Sequence, residues 1–167
     1  MQDYFSLFGL PERYALDSGQ LEAAYRKVQA QVHPDRFAHR PEGERRVAMQ
    51  WATLANEAYR ALRNPLTRGR YLLSRRGTEI DAERNTAMSP AFLMQQMEWR
   101  EAVEDAQGDN VALADLLDRM QEEEQAMFQQ LGRQLDVSDD SAGAAETVRR
   151  LMFIERLRTE IEDAMAV

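Results

Sequence analysis

Apolar residues recur at helical spacing over most of this chain, and the period breaks at a few Pro, Gly, Asn and Asp positions. Leu21, Ala24, Tyr25, Val28 and Val32 fall at i, i+3, i+4, i+7 and i+11, as one face of an α-helix requires. Val47, Trp51, Leu54, Ala55, Ala58, Tyr59 and Leu62 repeat the pattern, so the two stretches are predicted to pack as a helical hairpin. His33-Pro34-Asp35 lies between them. Pro34 lacks a backbone donor and biases His33 away from helical geometry, so the first helix is expected to end there and to present polar side chains. The aromatic segment Tyr4-Phe5-Ser6-Leu7-Phe8-Gly9-Leu10-Pro11 precedes the hairpin and is expected to cover its apolar faces.

Asn64-Pro65 marks a further break, with Pro65 suited to the first position of the next helix. Leu66, Tyr71, Leu72 and Leu73 continue an apolar pattern up to Arg75-Arg76-Gly77, a basic last turn followed by Gly, which is a helix stop. Ser89-Pro90 supplies a capping hydroxyl and an N-terminal proline. Three helices are predicted beyond it, over about 90–106, 111–135 and 142–166. The short connections between them imply an antiparallel three-helix bundle. Leu113, Leu116, Leu117, Met120, Met127, Phe128, Leu131 and Leu135 form the stripe of the middle helix; Leu151, Ile154, Leu157, Ile161 and Met165 form that of the last. Phe153 lies roughly 100° from the stripe centred on Ile154 and is expected off the core. The fold expected is all-α: a first module over 1–76, a linker over 77–88 and the bundle over 89–167.

Within the first bundle helix, Phe92, Trp99, Ala102, Val103 and Ala106 share one side, and Leu93, Met94 and Met97 fall on the other with Glu98, Glu101, Glu104 and Asp105. An apolar cluster edged by carboxylates therefore points away from the core. Such a face suits a partner protein, because methionine adapts to another surface. Packing on the first module or on a second copy would also cover it, and a solvated helix with a few stray methionines is the remaining alternative.

Composition narrows the chemistry. With 167 residues, 30% charged and 44% hydrophobic, the chain can bury a real core and is not of the disordered class. It carries no Cys, which excludes disulfides, thiol nucleophiles and thiolate ligands for zinc or an iron–sulfur cluster. No apolar run approaches bilayer length and no leader-like stretch follows Met1, so a cytoplasmic protein is expected. The net charge of -8 is unevenly spread: residues 1–76 hold 13 basic and 8 acidic side chains, residues 77–167 hold 8 and 21. Two modules with different partners are implied. Nucleic acid is disfavoured by the acidic half. His33 and His39 are the only histidines, and no Gly-rich phosphate loop or nucleophile elbow accompanies them, so an enzyme is not expected.

The aromatic first segment, basic second helix, His-Pro-Asp turn and long third helix together resemble a J-domain, the module that activates DnaK-type ATPase chaperones. The resemblance implies that His33, Pro34 and Asp35, flanked by Arg36 and by Arg26 and Lys27 on the preceding helix, contact the ATPase. Taken alone, His33 is also a helix-end residue of the kind the helix dipole favours. A J-domain followed by an acidic bundle opening on Phe92-Leu93-Met94-x-Gln96-x-Glu98-x-Arg100-Glu101 is similar to the HscB family, co-chaperones of iron–sulfur cluster biogenesis. Asp3-Tyr4-Phe5, Gly9-Leu10-Pro11, His33-Pro34-Asp35-Arg36-Phe37, Pro65-Leu66-x-Arg68-x-x-Tyr71-Leu72-Leu73 and Thr147-Val148-Arg149-Arg150-Leu151 carry the similarity along nearly the whole chain.

That resemblance implies an adaptor, without an active site, cofactor or metal of its own, that brings an IscU-type cluster scaffold to an HscA-type chaperone and stimulates its ATPase. The scaffold contacts it implies are Leu93, Met94, Met97 and Phe153, with Glu98, Glu101, Glu104 and Asp105 around them. No nucleic acid, no membrane, a monomeric state and a bacterial cytoplasmic type complete the expectation. Arg36 stands where the family usually has lysine and Met97 where leucine is common, which alters donor geometry and shape but not charge or polarity.

Overall fold

The computed structural model describes residues 3–80 and 88–166. Among them it is all helix, in the order α1 (Tyr4–Leu7), α2 (Ser18–Val32), a 3₁₀ turn (Pro34–Phe37), α3 (Glu42–Arg63), α4 (Pro65–Arg75), α5 (Pro90–Asp105), α6 (Asn110–Asp136) and α7 (Ser141–Met165). Most of the expected linker, residues 81–87, lies outside the described residues. Two compact units divide between Leu72 and Leu73, inside α4. No described helix is long and apolar enough to cross a membrane.

Local chemistry sets the helix ends. The carboxylates of Asp3, Asp17, Asp109 and Asp140 accept from backbone N–H groups at the starts of α1, α2, α6 and α7, and the Ser89 hydroxyl does so for α5, each satisfying donors that the helix itself leaves unpaired. Asn64 Oδ1 accepts from Leu66 and Thr67 at 2.8 and 3.3 Å and so starts α4. Gly77, at φ +86°, closes that helix, with the Thr78 N–H donating to Leu73 O at 2.8 Å. A residue with a Cβ would be strained in that conformation.

In the first unit α2 and α3 form the expected hairpin. The Tyr25 and Tyr59 rings stack at 4.2 Å, and the Tyr25 hydroxyl donates to Asn56 Oδ1 at 2.6 Å. Leu21, Ala55, Ala58 and Leu62 are buried. The aromatic segment does act as a lid: Phe5 and Phe8 are buried, Phe8 meets Tyr25 edge to face, and Tyr4 stacks on Tyr71 of α4 at 4.4 Å.

The beginning of α3 departs from expectation. Val47 and Trp51 are 50% and 39% exposed, and Ala48 is the residue that turns inward. With 22 residues against 15, α3 outruns α2. Its first turns therefore face the short 3₁₀ turn instead of a helix, and there is less partner surface to bury their larger side chains.

The second unit is a bundle in which α5, α6 and α7 each pack on the other two. Its core includes Phe92, Trp99 and Val103 of α5, Leu113, Leu116 and Met120 of α6, and Ile154, Leu157 and Ile161 of α7. One charged residue joins it: Glu124, 8% exposed, accepts from Arg158 Nη1 at 2.7 Å across α6 and α7. Burial holds the Glu124 carboxyl above its ordinary value, against the opposing pull of Arg158.

Candidate functional site

Each unit presents one distinctive surface. In the first, α2 ends at Val32 and His33 serves both as its C-cap and as the N-cap of the 3₁₀ turn. The Asp35 N–H donates to His33 Nδ1 at 3.2 Å. A neutral imidazole that accepts at Nδ1 carries its proton on Nε2, so the half-exposed ring still has a donor to offer. The Asp35 side chain is 92% exposed and its carboxylate lies 3.6 Å from His33 Nδ1. Pro34 opens the 3₁₀ turn, and Arg36 donates to the Ala30 carbonyl at 3.3 Å, tying the turn back to the end of α2. The tripeptide is thus an exposed polar knuckle whose backbone is held by local hydrogen bonds.

The basic pair on α2 is split by its surroundings. Arg26 is held by Glu22 at 2.6 Å, one turn earlier. Lys27 is exposed and has no ion-pair partner among the described residues. Of the two, Lys27 is the cation free to meet an acidic surface. Near the knuckle, Val47, Met49 and Trp51 of α3 are exposed apolar groups. The sequence pattern hid Val47 and Trp51 by placing them on the hairpin's inner face.

In the second unit, α5 has the two faces expected of it. Phe92, Trp99, Val103 and Ala106 are buried, while Leu93, Met94 and Met97 are 46%, 62% and 71% exposed. Glu98, Glu101, Glu104 and Asp105 are exposed, and none has an ion-pair partner among the described residues. The helix is fixed from beneath. Ser89 Oγ accepts from the Phe92 N–H at 3.2 Å and donates to Glu146 of α7, which Arg150 also reaches at 3.2 Å. The Ser89 hydroxyl first, and Arg150 after it, hold the Glu146 carboxyl below its ordinary value. On the side toward α6, Gln95 donates to Glu123 at 3.0 Å, and the Arg119 guanidinium covers the Trp99 ring at 5.2 Å.

Phe153 corrects the sequence reading. It is 3% exposed and meets Phe92 edge to face, with ring centroids 6.2 Å apart and planes at 90°. The Arg100 guanidinium covers it, 5.5 Å from the ring centroid. It belongs to the core and is not an outward contact. A helix facing two neighbours buries an arc much wider than a single stripe. From Phe153 through Leu157, Ile161, Ile154 and Leu151 to Val148 the buried arc of α7 spans roughly 220°, at 100° per residue.

A chain that is all-helical over its described residues, with an exposed His-Pro-Asp knuckle on a helical hairpin followed by a three-helix bundle, defines a J-domain co-chaperone. Residues 88–162 match a family described as the HSCB C-terminal oligomerisation domain. The co-chaperone protein HscB homolog of Burkholderia multivorans is 59% identical over 160 residues, covering 95% of this chain and 91% of that one. The chain belongs to the HscB co-chaperone family. Among solved structures, chaperone HscB from Vibrio cholerae has a TM-score of 0.83 at 37% identity, covering 97% of this chain and 96% of its own. The human co-chaperone protein HscB has a TM-score of 0.90 at 28% identity, covering 97% and 81%.

Proposed function

We propose that this protein couples two macromolecules in iron–sulfur cluster assembly: the outer face of α5 takes an IscU-type scaffold, and the knuckle with Lys27, Arg26 and Arg36 docks on an HscA-type ATPase chaperone. The observation that carries the reading is the presence, in one chain of the HscB family, of two exposed and unpartnered surfaces of opposite character. One is a polar turn, tied back by local hydrogen bonds, beside free positive charge; the other is apolar with four unpaired carboxylates.

On the chaperone side, Asp35 offers an acceptor and His33 a donor at fixed positions, and Lys27 steers encounter with an acidic surface. Binding there favours the hydrolysis-competent state of the ATPase, a population shift within the partner. The protein then needs no active site, cofactor or metal of its own, and the hydrolysis chemistry stays in the chaperone. On the scaffold side, Leu93, Met94 and Met97 supply apolar contact, and Glu98, Glu101, Glu104 and Asp105 select a basic rim on the partner. The protein acts as a monomer in the bacterial cytoplasm; sedimentation of the purified chain tests the first point.

The deciding experiment measures the ATPase rate of the chaperone with this protein, with the scaffold, and with both. Synergy supports the adaptor. Additive rates would leave a J-domain co-chaperone with some other client.

A further inference from the structure

Arg100 does not make the ion pair its position offers. It precedes Glu104 by four residues, the spacing at which side chains on one helix face meet. Elsewhere the protein uses that spacing repeatedly: Glu22 with Arg26 at 2.6 Å, Arg40 with Glu44 at 3.8 Å, Glu42 with Arg46 at 3.8 Å and Glu146 with Arg150 at 3.2 Å. Arg100 instead turns to α7, where it lies 3.6 Å from Glu160 and stands over the Phe153 ring. Its position on α5 is the margin of the docking face, roughly 20° around the helix from Leu93 and 40° from Glu104, at 100° per residue.

We propose that Glu160 and Phe153 are positioning residues that hold Arg100 away from Glu104, so that the Glu104 carboxylate stays open to a basic group of the docked partner. The inference rests on the docking role of the α5 face proposed above. An acid paired within its own helix has less attraction to give an incoming cation, and an arginine swung onto the face would repel the same cation. Glu160 supplies the opposing charge and the Phe153 ring a flat seat for the guanidinium. Phe153 therefore acts on the surface from below, through Arg100.

The test is a double-mutant cycle on the full chain, read as calorimetric affinity for the purified IscU-type scaffold at low and at high salt. Glu160→Gln is expected to weaken binding about two- to threefold at low salt, the scale of one surface ion pair, and to flatten the salt dependence. Arg100→Gln should bind at least as tightly as the parent, and adding it to Glu160→Gln should restore the lost affinity. Three results would overturn the inference: no change in Glu160→Gln, an undiminished loss when Arg100→Gln is added, or weaker binding by Arg100→Gln alone. The second would make Glu160 a direct contact and the third Arg100. Leu93→Ala is the separate control: if it binds as the parent does, the docking reading itself fails.

Discussion

The knuckle after α2 and the outer face of α5 are both exposed, yet they are built in different ways. At the knuckle the polar groups are fixed by the chain itself: Pro34 stops the helix, His33 Nδ1 accepts from the Asp35 N–H, and Arg36 reaches back to Ala30 O. On α5 the surface groups are unrestrained methionines, leucine and carboxylates, and rigidity comes from buried rings underneath, Phe92 against Phe153 and Trp99 beneath Arg119. A recognition element specified by three consecutive residues has no redundancy. One spread along a helix face distributes its affinity but inherits every weakness of the core below it.

The largest effects should come from attacking each surface where it is least redundant. Asp35→Ala is expected to abolish stimulation of the chaperone ATPase while the thermal melt and helical circular dichroism stay those of the parent, because the carboxylate is almost fully exposed. Phe153→Ala should do the reverse. Truncating a buried phenylalanine typically costs about 3–5 kcal/mol of stability, so urea denaturation should show a lower midpoint, with scaffold binding lost in step with the bundle. A Phe153→Ala protein that melts like the parent yet loses scaffold binding altogether, well beyond the about two- to threefold that freeing Arg100 accounts for, would return this residue to the surface.

Smaller effects sharpen the contrast. Leu93→Ala and Met97→Ala should each weaken scaffold binding by about 1–2 kcal/mol, the range of a significant interface side chain, with unchanged melting. On the basic side, Lys27→Ala should slow association with the chaperone more than Arg26→Ala does, since Arg26 is already held by Glu22. Stopped-flow rates at rising salt would converge if both act through long-range attraction.

The smallest effects concern pH. The raised Glu124 carboxyl costs stability at neutral pH, a penalty relieved as pH falls through its folded value towards the ordinary 4.5. The stability of Glu124→Gln relative to the parent should therefore rise with pH above 4.5. The lowered Glu146 carboxyl has the opposite sign: its contribution is present above 4.5 and is lost as pH falls through its folded value. Glu146→Gln should fall behind the parent as pH climbs through that lower window. Urea midpoints across pH would separate the two, and slopes of the same sign would contradict the assignment of burial to one and hydrogen bonding to the other.

Local sequence was sufficient wherever a feature depends on the chain's nearest neighbours. The cap at Ser89, the stop at Gly77, the break at His33-Pro34 and the two-faced pattern of α5 follow from backbone donors, φ restriction and helical period, none of which needs a distant residue. Tertiary structure decided how much of each helix is covered. A period gives the direction of an apolar stripe; the number and length of the neighbouring helices set its width. For that reason Phe153 lies inside a broad arc between two helices, and Val47 and Trp51 emerge where α3 outruns α2. Glu124 is buried because Arg158 stands across from it, and Arg100 leaves its own helix because Glu160 and an aromatic face are offered by another.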